Sequence, residues 1–262
     1  MIKLGPAGFN GDFEEGLMFL KKNKLRAVEI PFTYGVRMTN DTAKKIAILN
    51  EKTKISISVH APYYINLAAK ENEKIIASKK RIMDSCERAH HMGGNYVVFH
   101  PGFIMQRKRS DVYEMIYQNI AQLQDSLNSQ GFKNVKLAPE TTGKISQFGD
   151  IDELLKIRKE IGCELCVDFA HLYARNQGNI DWNEIFNKLK GIKHIHSHCS
   201  GIEFGDKGEK KHKILEKEFF KPIAKQILKR KLDITIISES PVTWEDSLKM
   251  KQVFNSLKPQ SI

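Results

Sequence analysis

The stretch NYVVFHP, residues 95–101, is a short run of β-branched and aromatic residues that stops at a histidine and a proline. Polar residues follow it, and then DVYEMIYQNIAQLQDSLNSQ (111–130), whose apolar residues recur at three- and four-residue steps. Asp111 is placed to cap that helix. The same strand-then-helix unit recurs along the chain. Its other strand members are IKLGPAG (2–8), AVEIPF (27–32), ISISVHA (55–61), VKLAPET (135–141), LCVDFA (165–170), HIHSHC (194–199) and ITIISES (234–240), which makes eight. Between them lie helical patterns such as DFEEGLMFLKKN, with Phe13, Leu17 and Leu20 on one face, and IDELLKIRKEIG, which stops at Gly162.

Eight strands alternating with helices over 262 residues specify the α/β class and a single (β/α)8 TIM barrel spanning residues 1–262. No proline-rich, glycine/serine-rich or low-complexity linker divides it. A doubly wound open sheet is the competitor. Its glycine-rich first turn is not matched by GPAGFNGD, residues 5–12.

The net charge of +11 and the pI of 9.3 favour a polyanionic partner, with a lysine-decorated helical surface as the plain alternative. No apolar run reaches membrane-spanning length and no signal-peptide pattern is present, so a cytoplasmic location away from membranes is expected. Cys163 and Cys166 form one CxxC without a second pair, and are read as buried thiols rather than metal ligands.

In barrels of this kind, functional side chains cluster at the C-terminal strand ends. Here the third strand ends at His60, the fourth at His100 and the fifth at Glu140. The sixth carries Asp168 with His171 three residues on, the seventh carries His194, His196 and His198, and the eighth ends at Glu239. Seven of the nine histidines lie at or just after strand ends, and six consecutive strands deliver His, Asp or Glu to one rim. Any one of them reads as a hydrogen-bonded core residue or helix cap. Together they point to metal, because burying so many imidazoles and carboxylates without it is costly. The donor types suit zinc, manganese or iron. They exceed the usual four ligands of one zinc, so at least two metals sharing a carboxylate are expected. Glu209 and His212, in the charged loop after the seventh strand, form a further candidate pair. The alternation of His194, His196 and His198 sets all three on one face of a strand, and spacing alone does not say which one binds.

The ordered segments SVHAPYYINLA, VVFHPG, APET, VDFAH, HIHSHCSG, EKKH and ISESP resemble the endonuclease IV family of AP endonucleases over nearly the whole chain. The resemblance implies a zinc-dependent hydrolase that cuts double-stranded DNA 5′ to abasic sites. The products would be a 3′-hydroxyl and a 5′-deoxyribose phosphate, as in base excision repair. It implies about three zinc ions per chain, with manganese as the alternative, and a monomer. By motif, His60, His100 and Glu140 would bind one ion. Glu140 would bridge to a second ion held by Asp168, His196 and Glu239, and would serve as the catalytic residue that orients the nucleophile. His171, Glu209 and His212 would hold the third. Two departures stand out: the family's D-x-H in that loop is here Glu209-Lys210-Lys211-His212, and ESP stands for ETP. For DNA contact the resemblance points to Arg37, to Tyr63 and Tyr64 as a wedge, and to His198 as a phosphate neighbour. Arg107, Lys108 and Arg109 could also meet phosphate.

The competing reading is a divalent-metal sugar isomerase or epimerase of the xylose isomerase-like class, which needs only Glu140, Asp168, His196 and Glu239. A catalytically silent nucleic-acid-binding barrel is a third.

Overall fold

The computed structural model describes residues 1–9 and 11–258. Eight parallel strands form the wall: β1 (Ile2–Pro6), β2 (Ala27–Pro31), β3 (Ser56–His60), β4 (Tyr96–Phe99), β5 (Lys136–Pro139), β6 (Cys166–Asp168), β7 (Ile195–Cys199) and β8 (Ile234–Ser238). Two four-stranded arcs, β1-β8-β7-β6 and β2-β3-β4-β5, close into a ring. The seams are parallel bridges between Ala7 and Glu29 and between Glu140 and Cys166. Gly8 N donates to Glu29 O at 2.8 Å at one seam, and Thr141 N to Cys166 O at 3.0 Å at the other. Gly5 permits the first seam, because a Cβ there would lie 1.7 Å from the Ala27 carbonyl oxygen.

Strand alternation sorts the core into two compartments. Ile57 and Val59, Val97 and Phe99, and Ile234 and Ile236 point outward into the large apolar core under the helices. Tyr96, Val98, Ala138 and Cys166 form a separate small cluster inside the barrel. The same alternation turns Glu29, Ser58, Asp168, His196 and His198 inward, all of them buried.

Among the described residues nine helices surround the wall: α1 (Phe13–Lys22), α2 (Asn40–Asn50), α3 (Asn72–Met92), α4 (Arg109–Ser129), α5 (Ile151–Ile161), α6 (Phe169–Arg175), α7 (Trp182–Lys188), α8 (Lys217–Lys229) and α9 (Trp244–Leu257). α5 opens on a capping box of Asp150 and Glu153 and stops at Gly162, whose φ is +81°. α4 begins two residues before the expected cap, so Asp111 sits in its first turn and Lys108 holds the cap position.

Two antiparallel ribbons stand among the loops beyond the C-terminal strand ends. Gly102–Phe103 pairs with Gln147–Phe148, and Gly201–Gly205 pairs with Gly208–Lys213. No helix among the described residues is long and apolar enough to cross a membrane.

Candidate metal centre

Glu140 closes β5 and is fully buried. Its Oε2 lies 3.1 Å from His60 Nε2 and 2.9 Å from His100 Nε2. Its Oε1 lies 3.0 Å from His198 Nδ1 and 3.4 Å from His171 Nδ1. One carboxylate therefore sits among four imidazoles. Burial opposes its ionisation, but His198, His100 and His171 hold the carboxyl well below the usual range.

Three of the four donor groups among the described residues lie at the rim, each within 4.8 Å across; the fourth, Cys166, His196 and His198, reaches one layer deeper into the barrel. His60, His100 and Glu140 make one. Glu140, Asp168, His198 and Glu239 make another, and His171, Glu209 and His212 the third. Asp168 Oδ1 accepts the His171 backbone N–H at 2.6 Å, while its Oδ2 is buried without a hydrogen-bond partner. His171 Nε2 is also buried without a hydrogen-bond partner. Orphaned donors and acceptors among clustered imidazoles and carboxylates are the chemistry a divalent ion satisfies, so these residues fit metal.

Several of the imidazoles are fixed from behind. A carbonyl can only accept, so His60 Nδ1 donates to Ala61 O at 2.8 Å and turns Nε2 toward Glu140. His171 Nδ1 likewise donates to Thr141 O at 2.9 Å, leaving Nε2 toward Glu209, 3.4 Å away. His212 Nδ1 meets Ser200 Oγ at 2.8 Å, and its Nε2 faces Glu209 and Glu239. Such outer contacts select the tautomer a metal ligand needs.

The seventh strand is where the sequence expectation must be corrected. β6 and β7 pair with Asp168 opposite His198 and Cys166 opposite His196. His198, not His196, is therefore level with Asp168, Glu140 and Glu239. His196 lies one layer deeper, with Nε2 3.0 Å from Glu29 Oε2 and its ring stacked on Tyr96 at 4.8 Å. His198 is wholly buried, so it cannot be the phosphate neighbour expected of it. His194 is a structural residue at the far end, bonded to Thr235 Oγ1 at 3.0 Å and to Asp233 at 3.2 Å.

The extra residue between Glu209 and His212 is absorbed by a β-bulge. Phe204 pairs with Glu209 and Glu203 with Lys211, which leaves Lys210 unpaired. Residues three apart on a regular strand face opposite ways; the bulge turns both toward His171. Two glycines seat this ribbon. A Cβ on Gly143 would lie 2.6 Å from Glu209 Cβ, and one on Gly208 would lie 2.1 Å from Gly143 O.

The rim opens into a cavity of about 450 Å³ edged by Tyr63, with His60, His100 and Glu239 in its wall. Tyr63 and Tyr64 are each 62% exposed, and Tyr34, on the loop after β2, is 73% exposed. Arg37 on the same loop is exposed and outside the metal groups. Arg107 bonds the Ala68 carbonyl and Arg109 pairs with Glu153, so both are engaged within the fold; Lys108 is exposed. The cysteines are all buried and outside any disulfide, and Cys166 lies in a donor group with His196 and His198. The reading of the sequence missed Glu29, a fully buried carboxylate on β2. The available signal was a lone charge in the apolar run AVEIPF.

Residues 17–259 match the xylose isomerase-like TIM barrel family. The chain is 40% identical over 274 residues to the uncharacterized protein MJ0133 of Methanocaldococcus jannaschii, an alignment covering 98% of each. It is 26% identical over 152 residues, 58% of each chain, to a Mycobacterium leprae protein named "Probable endonuclease 4". In structure it is similar to endonuclease IV from Thermus thermophilus, with a TM-score of 0.70, 20% identity, and 96% and 98% of the two chains covered. A D-tagatose 3-epimerase-like protein superposes nearly as well, with a TM-score of 0.69, 19% identity, and 92% and 91% covered. Both structural likenesses speak for the fold. The chain belongs to the xylose isomerase-like TIM barrel family, and within it resembles the proteins named endonuclease 4.

Proposed function

We propose that this chain is a metal-dependent endonuclease that hydrolyses the phosphodiester 5′ to abasic sites in double-stranded DNA. The observation that carries this reading is the third donor group. A single-metal sugar epimerase or isomerase is served by Glu140, Asp168, His198 and Glu239, and has no use for His171, Glu209 and His212. A set of donors arranged around one shared carboxylate suits phosphodiester hydrolysis, in which charge develops on several oxygens at once.

The ligands in this reading are His60, His100 and Glu140 for one ion; Glu140, Asp168, His198 and Glu239 for a second; and His171, Glu209 and His212 for the third. Zinc suits these nitrogen and oxygen donors, with manganese as the alternative. Donors of this kind, when loaded with divalent metal, supply a water whose pKa falls to about 7 and positive charge for the phosphoryl oxygens.

The chain's own residues do the rest. Glu140 faces His60 and His100 with one oxygen and His198 and His171 with the other, and so is placed to orient the attacking water. Tyr63 at the cavity edge and exposed Tyr64 beside it are placed to fill the gap left by an extruded nucleotide. The ribbon that carries Glu209 and His212 inward exposes Lys207, Lys210, Lys211 and Lys213, which favours phosphate near the mouth. Arg37, exposed beyond β2, is a further contact in this reading.

The similarity to the D-tagatose 3-epimerase-like protein keeps an epimerase as the second reading. Metal analysis of the purified chain separates them: about three ions support the nuclease and one supports the epimerase. Offering the same preparation a ketohexose and an abasic duplex decides the substrate. Epimerisation without strand cleavage would overturn the nuclease reading.

A further inference from the structure

Glu29 stands on β2, one layer below the metal groups, and is fully buried. A carboxylate buried inside a barrel costs several kcal/mol unless its oxygens are held. Here Oε2 is hydrogen-bonded by two side chains from two other strands, and Oε1 is in ion-pair contact with a third. Ser58 Oγ on β3 donates to Oε2 at 2.8 Å, and His196 Nε2 on β7 lies 3.0 Å from the same oxygen. His198 Nε2, also on β7, lies 2.8 Å from Oε1, an ion-pair contact rather than a well-aligned hydrogen bond. His196 is itself clamped, its ring lying within 11° of parallel on Tyr96.

The consequence falls on His198. Its two nitrogens face opposite ways: Nε2 to Glu29, and Nδ1 to Glu140 at 3.0 Å and Glu239 at 3.5 Å. His60, His171 and His212 are each tied back through one nitrogen to an oxygen outside the cluster, and each turns the other nitrogen into it. Their anchors are carbonyls or a hydroxyl, and all use Nδ1. His198 differs: its aligned hydrogen bond runs from Nδ1 to Glu140, and the oxygen outside the cluster that its Nε2 touches, at 2.8 Å, belongs to a carboxylate.

We infer that Glu29 is a positioning residue that keeps a proton on His198 Nε2 and so presents Nδ1 to the divalent metal, with His196 and Ser58 holding Glu29 in place. The inference rests on the metal-dependent reading of the site. It gives His196, expected from the sequence to be a ligand, a supporting role behind the ligand beside it.

The test is long-range proton–nitrogen correlation on zinc-loaded protein carrying ¹⁵N-histidine, with the His198 ring assigned from its absence in His198→Gln. The expected result is a proton on Nε2 and none on Nδ1; a proton on Nδ1 would overturn the inference without any change to Glu29. Glu29→Gln is then expected to weaken one zinc by about 10–100-fold, with Glu29→Asp recovering part of the loss. A folded Glu29→Gln that binds zinc as wild type, with an unchanged His198 ring, would also overturn it. If wild type binds no zinc, or His198→Gln binds as much as wild type, the metal reading itself fails. If only His198→Gln loses zinc, the positioning role alone falls.

Discussion

Asp168 and His198 are register partners across β6 and β7, while His196 pairs one layer down with Cys166. This offset decides which member of the histidine trio belongs with Glu140 and Glu239. His198→Gln is therefore expected to remove one metal ion per chain. His196→Gln is expected to keep the ion and bind it more weakly, through the loss of its contact to Glu29. Equilibrium dialysis with metal analysis checks the order. Loss at His196 with none at His198 would contradict the register.

The pH dependence has a definite sign. Burial opposes the charge on His60, but the hydrogen bond and charge of Glu140, with Glu239 and Glu29, raise its pKa from 6.5 to about 9. A histidine with a higher pKa folded than unfolded stabilises the fold fully below 6.5 and loses that contribution as pH rises through 9. Glu239 is the opposite case. Burial pushes its pKa up, but His198 holds it down at about 2, so its contribution is present above 4.5 and lost as pH falls through 2. Chelator-treated protein is expected to melt at progressively lower temperature from pH 6.5 to 9. Zinc affinity is expected to rise over that window, because imidazole ligands must shed their protons to bind. A melting temperature that climbs from pH 6.5 to 9 would contradict the assignment.

Much of this was legible in the sequence, for a physical reason. Alternation in ISISVHA and NYVVFHP divides residues that face helices from residues that face the barrel axis, and the polar members mark strand ends. Three histidines at a spacing of two satisfy that rule equally. Only pairing with β6 sets their height, and pairing is a non-local fact. Glu29 was hidden similarly: its partners Ser58, His196 and His198 are 29, 167 and 169 positions away. Glu209 and His212 were legible as a pair, but the bulge that makes them face together is set by the partner strand.

That bulge gives a prediction of its own. Deleting Lys210 restores a spacing of two between glutamate and histidine, which on a regular strand keeps both on one face. The deletion variant is expected to retain its full metal content. Loss of one ion would show that the bulge, and not the shared face, builds this group.

Gly208 has φ of +91°, and an added Cβ would meet the Gly143 carbonyl oxygen. Gly208→Ala is expected to cost about 1–3 kcal/mol of backbone strain, confined to the seating of the ribbon. One ion should be lost while the far-ultraviolet circular dichroism of the barrel stays native. Unchanged metal content would mean the ribbon docks without this close approach.

Tyr64 is exposed and outside the metal groups. Tyr64→Ala is expected to weaken binding of an abasic duplex by about 1–3 kcal/mol, the worth of one stacking contact, with metal content unchanged. Fluorescence anisotropy under chelation reads this without cleavage. Equal affinity would remove the tyrosine from the DNA contact.

The most direct measurement is the position of the cut. A duplex carrying one tetrahydrofuran analogue of an abasic site is incubated with the protein, with the protein and chelator, and with chelated protein restored by zinc. A single nick immediately 5′ to the analogue, abolished by chelator, regained with zinc and lost in Glu140→Ala of native circular dichroism, is the predicted result. No nick, or one that persists in Glu140→Ala or under chelation, would contradict the account.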